Sequence, residues 1–174
     1  MNAKMIDRLK NILDEDTVIV CIGTNKCIGD SLGPNVGSIL EKSNLNNTIY
    51  GTIEDPIHGL NIPERIPEIK RKHKSSTILA IDAATSYSFE VGTIRIINGP
   101  IKPGAGVNKK LESIGDYSIK GIVTTEKNDY METIESLSNV QLEFITEMAK
   151  IIANAIIQAI NSINEIERRV SYEL

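Results

Sequence analysis

Two short apolar runs, far apart in the chain, most constrain what this sequence can fold into. TVIVCI (residues 17–22) and TILAI (77–81) are rich in β-branched residues and carry no charge. Continuous runs of this kind are typical of central parallel strands, which are buried on both faces. Between them, helical patterns at 32–42 and 62–70 flank a weaker strand at 48–50. This alternation predicts a parallel α/β sheet with right-handed crossovers.

The remaining patterns complete one α/β domain that spans residues 1–174. An N-terminal helix is predicted at about 3–13, where apolar residues recur on one helical face. GTIRII (92–97) alternates polar and apolar residues, as an edge strand does, and SIKGIV (118–123) is predicted to be the last strand.

The C-terminal part of the chain predicts a long helix. Ser138 and Gln141 have capping-box spacing, which places the helix at about 139–166. Apolar residues then recur at helical spacing for longer than one small sheet needs to be covered. The far end of this helix is therefore a candidate contact for a second copy of the chain in a homodimer.

Charge and composition exclude several classes of function. The formal net charge is −4, so the chain offers no basic field to nucleic acid or to an anionic membrane. The first residues lack the uninterrupted apolar core of a signal peptide, and the Ile/Ala-rich stretch near 151–160 is too short to span a bilayer. Cys21 and Cys27 are too few for a disulfide framework, so we expect reduced thiols in a cytoplasm.

Two aspartates are predicted to meet beyond the carboxyl ends of the first and third strands. Asp30 follows the stretch VIVCIGTNKCIG, and Asp82 ends the run TILAID. If the strand order is 2-1-3, both acids lie at the crevice where such sheets bind ligands. Neighbouring parallel strands are about 4.8 Å apart, which brings facing side chains within catalytic reach of each other.

Such a pair of acids has more than one use. Two close carboxylates share a proton, so one can act as general base on a water while the other donates a proton to the substrate. The same oxygens could instead join a third ligand around a metal ion. Each acid also has a purely structural interpretation, Asp30 as a helix N-cap and Asp82 as a turn residue at a strand end.

The Gly-rich stretch before the first long helix does not have the spacing of a phosphate-binding loop. Gly23 and Gly29 are separated by five residues, and Asp30 stands where that motif requires lysine. The carboxylate would also repel a phosphate at the N-terminus of the following helix.

Further residues are secondary candidates around the crevice. His58, in the loop EDPIHGLN, and Asn25 are predicted to contact the substrate, and Asn25 could also orient a water. Gly104 and Gly106, in the loop KPGAGVNKK, could offer backbone amides to a substrate or an oxyanion. Cys27 and His58 could form a nucleophilic pair. Ordinary turns and packing are the alternative explanation for each of these residues.

Three blocks of the sequence carry a resemblance to a known family. GTNKCIGDSLGPNVG, AIDA and GPIKPGAGVNKKLESIGDYSIKGI, in this order, resemble the YyaC-type sporulation proteins, which are regarded as spore proteases. More distantly, they are similar to the spore germination protease and the hydrogenase-maturation endopeptidases. The match runs from about Thr17 to Met131. The resemblance implies a phosphorylase/hydrolase-like, three-layer α/β/α fold with a mostly parallel central sheet.

The resemblance also implies a site. In the germination protease, the catalytic candidates are the acids of a D-x-L-G-P block and a D-A block, which match Asp30 and Asp82 here. In the maturation endopeptidases, the corresponding acids bind nickel together with a histidine beyond the second acid. No histidine follows His73 in this sequence, so the pattern favours a site without a metal or another cofactor.

The function expected from the residues and the resemblance is a cytoplasmic peptidase of sporulation or germination, of an atypical aspartic type. Its partner would be a specific protein or peptide substrate, such as a basic spore protein steered by an acidic cleft. The alternatives are a non-catalytic protein- or peptide-binding member of the fold and a metal-dependent hydrolase.

Overall fold

The two apolar runs form neighbouring strands at the centre of a mostly parallel sheet. The computed structural model describes residues 2–103 and 111–172, and within them the sheet has the order β2-β1-β3-β5-β4. The strands β1, β2, β3 and β5 are mutually parallel, and the edge strand β4 runs antiparallel to β5. The strand bounds are Val18–Cys21 (β1), Ile49–Tyr50 (β2), Ile78–Ser86 (β3), Ile94–Asn98 (β4) and Tyr117–Thr125 (β5).

Helices cover both faces of the sheet, which confirms the expected α/β class. Successive strand residues point to opposite faces, so residues such as Ile19 and Leu79 pack against one helical layer and Val20 and Ala80 against the other. The first layer contains α1, α2 and α5, and the second contains α3. The helix bounds are Asn2–Lys10 (α1), Leu32–Glu41 (α2), Ile62–Lys72 (α3), Tyr130–Ser138 (α4) and Leu142–Tyr172 (α5).

The N-terminal helix ends earlier than its apolar pattern predicts. The expected bounds were about 3–13, but α1 ends at Lys10 and the chain continues as a turn in which the Leu13 N–H still donates to the Leu9 carbonyl. Leu13 is buried all the same. Leu13 fits the apolar pattern because it packs in the core beneath the sheet, although the helix has already ended before it.

The predicted capping box of the long helix is wrong. Ser138 is the last residue of α4, and its hydroxyl donates to the Ile134 carbonyl at 3.0 Å, one turn back in the same helix. The residues before it form α4, capped by Asp129, whose side chain accepts from the Glu132 N–H at 3.1 Å. The long helix consequently begins at Leu142 and ends at Tyr172, later at both ends than the expected 139–166.

No helix in the part of the chain that the structure describes is both long and apolar enough to cross a membrane.

Candidate active site at the carboxyl end of the sheet

The chain leaves β1 through a tight loop that returns Asp30 to the end of the strand. Gly23 has a φ of +139°, and a Cβ there would lie 2.0 Å from the Asp30 carbonyl oxygen, so only glycine fits. The Thr24 N–H donates to that same carbonyl at 3.1 Å and closes the loop. Asp30 is the middle residue of a short 3₁₀ turn, Gly29–Ser31, that leads into α2. Asp30 is therefore held beside the sheet, and the N-cap position of α2 belongs to Ser31.

Asp82 lies immediately beyond the end of the neighbouring strand. The last paired residues of β1 and β3 are Cys21 and Ile81, so Asp82 is the first β3 residue without a β1 neighbour. It does not end its strand, as the sequence suggested, because β5 continues alongside and prolongs β3 to Ser86. The strand order 2-1-3, on which the meeting of the two acids depends, is confirmed.

Both aspartates line a single cleft of about 800 Å³. His58, Gly59 and Ile62, from the segment that leads into α3, line it. The end of β3 and the helix α4 also line the cleft, and the α4 residues that do so are Tyr130, Thr133, Ile134, Leu137 and Ser138. Three lysines also line the cleft, and they are Lys102, Lys120 and Lys127.

Burial raises the pKa values of both acids, and the charge of Asp30 raises that of Asp82 further. Burial raises the pKa of Asp30 from its ordinary 3.8 to about 6, although the backbone N–H of Thr24 opposes the rise. The pKa of Asp82 is raised well above 3.8, first by burial and then by the charge of Asp30, while Lys120 and the Ala83 N–H oppose that rise. Both residues are only partly buried, so each keeps some surface that solvent can reach.

The two raised pKa values favour retention of a proton by the pair of acids. Because each charge disfavours the other, the pair as a unit holds a proton that isolated carboxyls would lose. Asp82 has more causes that favour its protonated form, since both burial and the charge of Asp30 act on it, so Asp30 is the more readily ionised of the two acids. One acid can then accept a proton from water while the other donates one.

The residues of the cleft do not fit a nickel- or zinc-type centre. Among residues 2–103 and 111–172, no three side chains of His, Cys, Asp or Glu converge closely enough to hold a metal ion. The stretch 104–110, GAGVNKK, contains none of these residue types. Two carboxylates alone are a poor site for a transition metal, which favours several nitrogen or sulfur ligands.

The other residues predicted at the site fall in different places. His58 lines the cleft, and its Nδ1 accepts from the Leu60 N–H at 3.3 Å. Asn25 is not among the residues that line it, and its amide donates to the Ile53 carbonyl at 3.3 Å. Gly104 and Gly106 lie outside the described residues.

Cys27 lines the cleft without a histidine partner. Its sulfur is 3.9 Å from the Ser138 hydroxyl, and no hydrogen bond joins it to His58 in the described part of the chain. The structure therefore offers no support for the nucleophilic pair that the sequence raised.

Sequence reasoning missed Lys120 and the whole α4 wall. Lys120 interrupts the apolar strand SIKGIV, and a charged residue inside a central strand is a signal that could have been used. α4 was harder to predict from the sequence, because its segment has no strong helical pattern of apolar residues and none of its residues is buried.

Comparison with known sequences identifies relatives over most of the chain. The sequence model of a family described as "Protein of unknown function (DUF1256)" matches residues 1–155. The chain is 39% identical over 149 residues to a Bacillus subtilis (strain 168) protein described as "Uncharacterized protein YyaC", covering 85% of this chain and 71% of that one. These matches confirm the resemblance carried by the three sequence blocks.

A more distant relative is a protease. The chain is 28% identical over 134 residues to the germination protease of Clostridium perfringens (strain SM101 / Type A). The alignment covers 67% of this chain but only 41% of the protease, so the chain spans less than half the length of that relative.

Solved structures share the fold at low sequence identity. The [NiFe] hydrogenase maturation protease HycI from Thermococcus kodakarensis superposes with a TM-score of 0.52 at 16% identity, covering 86% of this chain and 98% of HycI. The peptidyl-tRNA hydrolase of Acinetobacter baumannii gives 0.50 at 13% identity, covering 86% and 95%. These likenesses establish the three-layer α/β fold that was expected.

Proposed function

The chain belongs to the DUF1256 family, and we propose that it is a peptidase that hydrolyses a specific protein substrate with Asp30 and Asp82. One observation carries the proposal: two acids from distant segments line one cleft, and the charge of one raises the pKa of the other. The similarity to the germination protease supports the reaction class. Structural uses of aspartate, such as helix capping, do not explain the pair, since neither acid caps a helix here.

In this proposal Asp30 is the carboxylate and Asp82 keeps the proton of the pair, which gives each acid a role. Asp30, with a pKa of about 6, is the base that takes a proton from the attacking water at neutral pH. The hydroxide adds to the carbonyl carbon of the scissile peptide, and Asp82 gives its proton to the leaving amine as the C–N bond breaks. The pair ends the cycle with the proton on Asp30, and exchange with solvent restores the starting state.

The biological setting belongs to the same proposal. The name of the germination protease favours a role in germination, the resemblance to YyaC-type sporulation proteins extends the proposal to sporulation, and the two free cysteines fit a reducing cytoplasm. A basic spore protein was the expected substrate, but the cleft's three lysines do not favour a basic segment at the acids themselves. A homodimer through the end of α5 is likewise a proposal.

The test is cleavage of protein extracts from sporulating cells, read by mass spectrometry of new termini. Asp30→Asn and Asp82→Asn should each reduce cleavage by at least about 100-fold, the size of a lost general acid or base. Asp16→Asn is the matched control, because this exposed acid precedes β1 at the opposite end of the sheet. New termini that persist in both cleft variants would overturn the two-acid mechanism, and stable capture without new termini would identify a binding protein instead.

A further inference from the structure

β3 extends further than its neighbour β1, so part of its backbone edge is unpaired beside the two acids. β1 pairs with β3 only as far as Cys21 and Ile81, whereas β3 continues to Ser86 alongside β5. Within the described ranges, no strand pairs with β3 on the β1 side beyond Ile81. An edge of this kind presents N–H and C=O groups to an incoming strand.

Hydrogen bonds at the two ends of this segment show which way its backbone groups point. The Ile22 N–H donates to the Ile81 carbonyl at 2.7 Å, so Ile81 faces β1. The Glu126 N–H donates to the Ser86 carbonyl at 3.2 Å, so Ser86 faces β5. Successive residues of a strand direct these groups to opposite neighbours, so the odd-numbered residues face the β1 side.

Ala83 and Thr85 therefore face the side that β1 has vacated. The irregularity in pairing near Ala84 does not change this, because the extra residue, Val123, belongs to β5. The Ala83 N–H already donates a hydrogen bond to the Asp82 carboxyl. The Ala83 carbonyl and the backbone N–H and carbonyl of Thr85 are thus available to hydrogen-bond a strand that continues in the direction of β1.

The cleft reaches this edge and offers places for side chains as well. Ala83, Ala84 and Thr85 line it directly after Asp82, and the two alanines are small enough to let another backbone approach. Tyr87 and Tyr130 also line the cleft, with exposures of 62% and 45%. Exposed aromatic surface beside an open strand edge suits a peptide whose alternate side chains turn to one face.

We propose that the substrate binds as an extended strand along the β3 edge at Ala83–Ser86, with its main chain hydrogen-bonded to Ala83 and Thr85. The inference rests on the proposed function, because a peptide in this position runs past Asp30 and Asp82. The substrate class is then an unstructured or locally unfolded polypeptide segment rather than a folded surface.

The peptide side of the contact is tested by scanning backbone N-methylation. Binders are selected from a random-sequence peptide display library on the Asp30→Asn variant, and each backbone amide of a selected peptide is methylated in turn. Methylation of amides that face β3 should weaken binding roughly tenfold, the worth of one buried hydrogen bond, whereas methylation of the alternate amides should change it little. Sensitivity with a period of two is the expected result.

The protein side is tested with two substitutions at one position. Thr85→Pro removes the free N–H and should weaken binding of the selected peptide about tenfold, whereas Thr85→Ala keeps the N–H and should bind like the parent. Thermal melting checks that both variants fold. If Thr85→Pro does not fold, protection of the Thr85 amide from hydrogen exchange on peptide binding replaces it.

The outcomes separate this inference from the peptidase function. Failure to select any peptide, methylation sensitivity without alternation, or no protection of Thr85 would overturn strand addition. Cleavage of the same unmethylated peptides by the unsubstituted protein is measured separately. Cleavage without alternation overturns only the binding mode, and alternation without cleavage overturns only the peptidase function.

Discussion

Asp82 on β3 lies directly opposite Lys120 on β5 in the parallel register of the sheet. The Lys120 charge opposes the two effects, burial and the charge of Asp30, that raise the pKa of Asp82. No ion pair joins the two side chains among the described residues, so Lys120 acts through its field rather than by a direct contact. A third residue on the next strand thus moderates the rise in the pKa of Asp82 without reversing it.

Removing that charge should raise the pKa of Asp82 further. In Lys120→Met, burial and Asp30 act on Asp82 with less opposition, so the acid should stay protonated to a higher pH. Carbon-13 NMR titration of the Asp82 carboxyl measures the change. Lys127→Met is the control, because Lys127 lines the same cleft but is not among the charges that act on Asp82. Equal shifts in the two variants, or none in Lys120→Met, would contradict the assignment.

The stability of the fold should decrease as pH rises from about 4 to about 6. Burial raises the pKa of Asp30 from 3.8 to about 6, so in this window the folded state binds a proton that the unfolded chain has lost. The stabilisation by the proton is complete below the lower value and lost above the higher one. Its size is up to roughly 3 kcal/mol, and Asp82, whose pKa is also raised from 3.8 on folding, adds a change of the same sign that begins in the same window.

Urea unfolding at a series of pH values measures this dependence. The Asp30→Asn variant should reduce the slope between about pH 4 and about pH 6, because the amide does not titrate, and Asp82 accounts for the slope that remains. Asp16→Asn is the control substitution, because this exposed acid lies outside the cleft. A parent protein whose stability instead rises through this window would show that Asp30 is not buried as described.

A methyl group at Gly33 should destabilise the contact of α2 with β1. A Cβ at this position would lie 2.1 Å from the Ile22 carbonyl oxygen, which is backbone and cannot rotate away. We expect Gly33→Ala to lower the free energy of unfolding by roughly 2 kcal/mol or more, despite the better helix propensity of alanine. Gly59→Ala is the control, because a Cβ there has no neighbour within 4 Å. Chemical unfolding of both variants decides, and equal stability would contradict the close approach.

Chelation should leave cleavage of the substrate unchanged. No three metal-binding side chains converge in residues 2–103 or 111–172, so the acid pair is expected to work without a metal ion. The measurement is the cleavage rate before and after dialysis against EDTA, together with metal analysis of the purified protein. Loss of cleavage that returns with one divalent metal would favour the metal-dependent alternative.

Local pattern was sufficient for the elements that are buried on both faces. The runs at 17–22 and 77–81 predicted β1 and β3, because a strand between two helical layers is buried on both faces and its sequence is a continuous apolar run. Local pattern failed at Ser138, whose spacing to Gln141 fits a cap although α4 had already formed before it. Side chains that serve a helix start and a helix end look alike until the preceding segment is known.

The sequence by itself determined the fold class, the family and the two candidate catalytic acids. The catalytic roles of Asp30 and Asp82 stay predictions, whereas their meeting in one cleft is a property of the fold. Only the tertiary structure decided that β1 stops at Cys21 while β3 runs on to Ser86, and that Lys120 lies opposite Asp82. Strand length and register depend on neighbours that are distant in the sequence, so local patterns could not contain them.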